Sequence, residues 1–176
     1  MMYCKGTGKL MVILLVASCC VTSMSCFTLK YSTTGASIPP EAKTVSVQYV
    51  ENQARNVESG LSQQVTDALK DYIQSNTSLI LITGTGDIDF EGVITGFEVR
   101  PAAIVSGDEA ARNRFTITMK VKFTCDVKPD LDFESSFSRY EDYDSNLDFE
   151  TAKANLTEDI IKLLIEDIYN KAFVNW

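Results

Sequence analysis

The chain contains no histidine, and that limits the chemistry its other residues can do. Without an imidazole, Ser-His-Asp and Cys-His catalysis, histidine metal sites and the usual general base near neutral pH all fall away. Carboxylate, lysine and tyrosine chemistry survive. Two acid pairs at i, i+2 spacing, Asp87 with Asp89 and Asp142 with Asp144, would each share a face on a strand. They are the candidates for a carboxylate-dependent hydrolase, although solvated loops explain them as easily. The run Arg139-Tyr140-Glu141-Asp142-Tyr143-Asp144 lacks EF-hand spacing and reads as a solvated loop, and Gly84-Thr85-Gly86-Asp87 is too short for a phosphate loop. No cofactor or metal is implied.

The cysteines carry a different chemistry. Cys19, Cys20 and Cys26 fall in the stretch LMVILLVASCCVTSMSC, Leu10 to Cys26, which follows Lys5 and Lys9. A basic start, an apolar run and a small-residue site describe a secretory signal, and a cysteine at the cut predicts an acylated mature N-terminus. Cleavage before Cys19 leaves only Leu10 to Val16 as apolar core, the short limit of the roughly 7–15 residues required. Cys26, preceded by Ser23-Met24-Ser25, leaves a full core and is the first choice, with Cys19 second. A membrane span wants about 20 predominantly apolar residues, whereas this run turns polar after Ala17. The expected organisation is a signal over 1–25, a lipidated tether over 26–40 and one domain over 41–176. Cys125, on the apolar side of its strand, reads as a small buried hydrophobe.

The formal charge is −8, and both lysines of the leader are lost with it, so the remainder is more acidic still. Nucleic acid is therefore excluded as a partner, because duplex binding runs on neutralising phosphates with lysine and arginine.

The elements that position these residues follow from periodicity. Ala42 to Val50 alternates, with Val45, Val47 and Tyr49 on one side, and reads as a strand. Leu61, Val65, Ala68, Leu69, Tyr72 and Ile73 form one face of a helix, with Ser59 or Ser62 as its cap and Asn76-Thr77-Ser78 as its stop. Leu79 to Thr83, the GTGD turn and Ile88 to Val99 read as a hairpin, with Gly92 and Gly96 marking a bulge or close backbone approach. Arg100 to Arg114 reads as a loop. Phe115 to Cys125 is a clean strand, with Lys120 and Lys122 on its polar side. Leu131 to Tyr140 should pair back on it. A long amphipathic helix runs from about Leu147 to Phe173. The order β-α-β-β-β-β-α predicts an α+β fold, two helices on one face of a four- to five-stranded, mostly antiparallel sheet.

Nearly all of the chain beyond the leader resembles the LptE-like lipoproteins of the Bacteroidetes. The matching stretches are the lipidation cysteine, Gly35 to Tyr49 (GASIPPEAKTVSVQY), Leu61 to Asp71, Asp87 to Val99, Asn113 to Phe123, Phe133 to Asp144, and the closing EDIIKLLIEDIYNKAFVNW. In that family the cysteine stands shortly before the GAS segment, which favours Cys26; the segment from Cys26 to Gly35 is about one residue longer than the family pattern. The resemblance implies a non-enzymatic, lipid-anchored protein on the periplasmic side of the outer membrane. Its partner would be an LptD-type β-barrel, which such proteins help to assemble and plug, and it would engage lipopolysaccharide. The enterobacterial members are attributed two helices on a four-stranded sheet, the order derived above.

An acidic protein binds anionic lipid phosphates only through a local patch. The candidates are Arg100, Arg112, Arg114, Lys120 and Lys122; equally, such charges decorate a solvent face against unwanted strand pairing. A plug needs polar, shape-complementary contacts, for which Arg139, Tyr140 and Tyr143 are the candidates. A periplasmic ligand-binding or scaffold lipoprotein unrelated to lipopolysaccharide export is the rival reading, and it predicts a concave apolar pocket.

Overall fold

The computed structural model describes residues 38–102 and 111–174; the signal, the lipidation cysteine and most of the tether lie outside them. Six strands and two long helices follow in the order β1 (Thr44–Val47), β2 (Glu51–Asn52), α1 (Leu61–Asn76), β3 (Ile80–Leu81), β4 (Ile88–Pro101), β5 (Arg112–Cys125), β6 (Phe133–Asp144) and α2 (Phe149–Phe173). They form one sheet in the order β3-β1-β4-β5-β6, with the two-residue β2 also beside β4. The long pairings, β4 with β5 and β5 with β6, are antiparallel, while β1 runs parallel to both β3 and β4. The α+β expectation of two helices against a sheet holds, but the sheet is mixed and has six strands: its two long pairings are antiparallel and its three short ones, β1 with β3, β1 with β4 and β2 with β4, are parallel.

β5 lies between β4 and β6 and obeys strict alternation. Phe115, Ile117, Met119, Val121, Phe123 and Cys125 are all buried, and burial pushes the Cys125 thiol pKa up. Their face meets the helices: the rings of Phe90, Phe123 and Phe173 pack edge to face with centroids 5.1 to 6.1 Å apart. Such side chains each contribute about 1.5–3 kcal/mol by leaving water. α1 buries Leu61, Val65, Leu69 and Ile73. α2 buries a wider face, Ile160, Ile161, Leu164, Ile165, Ile168 and Tyr169 among others, because it touches both the sheet and α1, where Tyr72 meets Tyr169 at 5.1 Å.

Several local expectations are corrected. Residues 79–99 do not form a hairpin: β3 and β4 flank β1, both parallel to it, so the connecting residues must cross β1. They do so at Gly86, where a Cβ would stand 3.1 Å from both the Ser46 nitrogen and the Val45 carbonyl carbon. The Gly86 N–H donates to the Ser46 hydroxyl at 2.9 Å. The first strand also breaks phase. Val47 pairs with Phe90 and Glu51 with Val93, four steps against three, and the extra residue turns Val50 inward (1 % exposed) and Tyr49 outward (60 % exposed). Thr66 accepts the Val50 N–H at 3.0 Å, which satisfies the donor freed by this irregularity. A second register shift falls between Ile94 and Gly96, and at Gly92 a Cβ would lie 2.3 Å from Met119 Cε, so the sequence glycines mark both a bulge and a close approach.

The cap of α1 is Gly60 in the left-handed region at φ 83°, not a serine. α2 starts two residues later than expected, where the Asp148 side chain accepts the Thr151 N–H at 3.2 Å. Arg100, Pro101, Arg112 and Arg114 lie in strands rather than a loop, and β6 runs on to Asp144. Charge does not end a strand whose outer face is solvated.

Candidate functional site

The face of the sheet opposite the helices is where most of the sequence candidates meet. Directly opposed residues in an antiparallel pair share a face, so the register places Arg112, Arg114, Thr116, Thr118, Lys120 and Lys122 of β5 beside Asp144, Asp142, Tyr140, Ser138, Ser136 and Glu134 of β6. On the other side of β5 stand Arg100, Glu98, Val93 and Glu91 of β4. All five proposed cations and Tyr140 are therefore on this open face. Arg139 and Tyr143, at odd positions of β6, are on the other.

The cations are held by carboxylates from neighbouring strands. Lys122 meets Glu91 at 2.6 Å and Lys120 meets Glu134 at 2.5 Å. Arg100 and Arg114 lie opposite each other, and each is drawn away from its neighbour: Arg100 to Glu98 at 2.7 Å, Arg114 to both oxygens of Asp142 at 2.7 and 2.8 Å. The Arg114 guanidinium also lies 3.7 Å over the Tyr140 ring. Arg112 stands across from Asp144 and adds its field to Asp142. These hydrogen bonds hold the Asp142 and Glu134 carboxyls below the usual range and raise Lys122. The lysine pairs are half exposed, and such pairs are worth about 0–1 kcal/mol each. The lysines can therefore exchange a carboxylate for another anion at little expense to the fold. A depression of about 460 Å³ lies here, bordered by Gln48, Tyr49, Glu91, Lys120, Lys122 and Glu134.

Arg139 and Tyr143 serve the fold instead. Arg139 forks onto both oxygens of Asp167 at 2.6 Å, tying β6 to α2. Tyr143 is 6 % exposed and lies against the Phe149 ring at 6.0 Å, leaving little surface for a partner.

The acid pairs offered for hydrolysis are occupied structurally. Asp87 Oδ2 accepts from the Lys43 and Thr44 backbone nitrogens at 2.9 Å and the Thr44 hydroxyl at 2.8 Å, which lowers its pKa. Asp89, 8 % exposed, accepts from Ser46 and Gln48. Asp142 holds Arg114, and Asp144 accepts the Asn146 N–H at 2.8 Å. Among the described residues no cluster of three or more potential ligands could hold a metal ion.

Sequence reasoning did not find the acidic partners Glu91 and Glu134, since their alignment depends on register. Nor did it find the outer groove between α1 and α2, about 550 Å³, with Ala68, Tyr72, Ile161 and Ile165 as its apolar floor and Glu158 and Lys162 on its rim. Apolar residues at helical spacing read as core, and nothing in that spacing marks a groove between two helices. Among the described residues no helix is long and apolar enough to cross a membrane.

A family model described as lipopolysaccharide-assembly, LptE, matches residues 42–172. No curated protein matches the chain. Among solved structures, a protein from Xanthomonas campestris is similar with TM-score 0.52 and 9% identity, over 76% of this chain and 88% of its own. A hypothetical protein from Chlamydia trachomatis matches with TM-score 0.50 and 7% identity, over 76% and 99%. A minor lipoprotein from Acinetobacter baumannii matches with TM-score 0.49 and 12% identity, over 74% and 91%.

Proposed function

This chain belongs to the LptE, lipopolysaccharide-assembly, family, and from that premise we propose that it is the lipoprotein subunit of an outer-membrane lipopolysaccharide translocon. The observation that carries this reading is the extent of the family match, from just before β1 into the last turn of α2, which takes in the whole sheet and both helices.

In this reading Cys26 bears the anchor on the periplasmic side of the outer membrane, and it carries more than one acyl chain, as stable anchoring requires. The tether over 26–40, at about 3.3 Å per residue when extended, keeps the domain within a few nanometres of that membrane. The role is one of assembly and positioning, not catalysis. The open sheet face meets an LptD-type β-barrel. Its alternating charges and the Tyr140–Arg114 stack suit the polar wall of a lumen, where complementarity matters more than apolar area. Lys120 and Lys122, half exposed and held only by surface carboxylates, are the cations placed to take lipopolysaccharide phosphates, with Arg100, Arg112 and Arg114 continuing the row. The groove between α1 and α2 favours a second reading, a ligand-binding lipoprotein with an apolar site.

Detergent extraction of the tagged full chain from its native membrane tests the proposal. A large β-barrel protein should co-purify in stoichiometric amount. A chain recovered alone would contradict it.

A further inference from the structure

Among the described residues the strand β6 forms an edge of the sheet with no further strand beside it. Among the described residues it pairs only with β5, over an unbroken register of 12 residues. Edges are ordinarily blunted by shortness, proline, charged side chains, a bulge or a covering element; of these β6 shows charge, in Glu134, Arg139, Glu141, Asp142 and Asp144, which selects a strand that brings basic residues. Phe133–Asp144, FESSFSRYEDYD, is long and has no proline, glycine or lysine, whereas the opposite edge, β3, has two residues.

The hydrogen-bond phase identifies the groups left over. Ser145 N–H donates to Ala111 O at 3.0 Å, and pairs alternate along an antiparallel ladder, so odd residues of β6 bond to β5. The backbone groups of Glu134, Ser136, Ser138, Tyr140 and Asp142 therefore point outward.

We propose that β6 accepts an extended strand of a partner protein, one that alternates apolar residues with basic ones. Both halves of that pattern are on the structure. On the helix side Phe133 and Phe137 are only half-buried, and an added strand would cover them. On the open side, at the Glu134 end of the strand, the charges alternate from strand to strand, acidic Glu91 on β4, basic Lys122 and Lys120 on β5, acidic Glu134 on β6. A basic side chain is the next in that series. Strand addition gives main-chain hydrogen bonds for affinity and side-chain alternation for selection.

A second copy of this chain does not fit. A two-fold antiparallel pairing that uses nearly all of β6 sets Glu134 opposite Asp142 or Asp144, and like charges directly opposite are destabilising. The net charge of −8 adds long-range repulsion. The inference goes beyond the translocon reading and stands or falls without it, because it concerns any protein that supplies such a strand.

The chain's own β5 has the required pattern, so a labelled peptide of residues 113–125 carrying Cys125→Ser is the probe. Titrated with the purified full chain, it should bind saturably, while a scrambled peptide should not. N-methylation of alternate peptide nitrogens, or Ser136→Pro in the protein, should weaken binding by roughly tenfold or more; proline there removes an outward N–H and leaves the β5 ladder intact. Absence of saturation, or equal binding by the N-methylated peptide, would overturn the proposal. So would a dimer in sedimentation that Ser136→Pro dissociates, since the edge would then serve a second copy.

Discussion

Arg114 lies with its guanidinium 3.7 Å over the ring of Tyr140 while it holds both oxygens of Asp142 at 2.7 and 2.8 Å. One arginine of β5 thus orders two neighbouring residues of β6 on the face left open by the helices, one by charge and the other through its ring.

The Asp142 carboxyl is held below its ordinary pKa by that fork. A carboxylate whose folded pKa is depressed stabilises the fold above its unfolded pKa and loses that contribution as pH falls through the folded value. Asp142→Asn should therefore be less stable than the parent at neutral pH, and the difference should fade as pH falls from the ordinary carboxylate range through the lowered folded value. Denaturant titrations across that range check it. A difference constant with pH would remove the ion pair as its cause.

Gly86 and Gly92 both sit where a side chain has little room, but their neighbours differ. A Cβ at Gly86 meets backbone atoms of Val45 and Ser46 at 3.1 Å, whereas at Gly92 its nearest neighbour is the flexible end of Met119. Gly86→Ala should cost about 1–3 kcal/mol, and Gly92→Ala less, because a methionine tip can move. Thermal or chemical unfolding of the two variants decides the order.

How far the sequence revealed this arrangement depended on how local each cause was. β5 was legible residue by residue because Phe115 to Cys125 alternate without interruption, and the two helices were legible from their stripes. The insertion of β1 between β3 and β4 was not, since a strand and its neighbour in sequence need not pair. Tyr49 and Val50 exchanged faces through one extra residue whose signal is the register with β4. The acidic and aromatic run from Arg139 to Asp144 read as a loop because its charges looked solvated. In the strand, alternation sends Tyr140 and Asp142 to the open face and Arg139 and Tyr143 to the helices. The cationic row was legible as a polar face of β5, but its carboxylate partners are fixed by pairings that no local pattern records.

Lys120 and Lys122 provide a test of the lipid contact. Replacing both with glutamine, rather than an acid that would crowd Glu91 and Glu134, should weaken binding of purified lipopolysaccharide by roughly tenfold, about 1.4 kcal/mol. The effect should shrink at high salt. Stability should change little, as exposed pairs contribute about 0–1 kcal/mol each. Unchanged lipopolysaccharide affinity would remove these lysines from the site and leave the barrel partnership standing.

The anchor assignment has its own readout. Cys26→Ser should leave the chain without its acyl mass and release it from the membrane fraction, whereas Cys19→Ser should leave both unaltered. Intact-mass spectrometry distinguishes them, and a lipid found on Cys19 would overturn the choice.

In the proposed complex the open sheet face, not the helical face, meets the barrel. A photo-crosslinking residue placed at Tyr140, 50% exposed on the open face, and separately at Lys162 on the exposed side of α2, reads it directly in cells. An adduct with a large outer-membrane β-barrel protein is expected from position 140 and little or none from position 162; an adduct from 162 with none from 140 would put the helices, not the sheet, against the barrel.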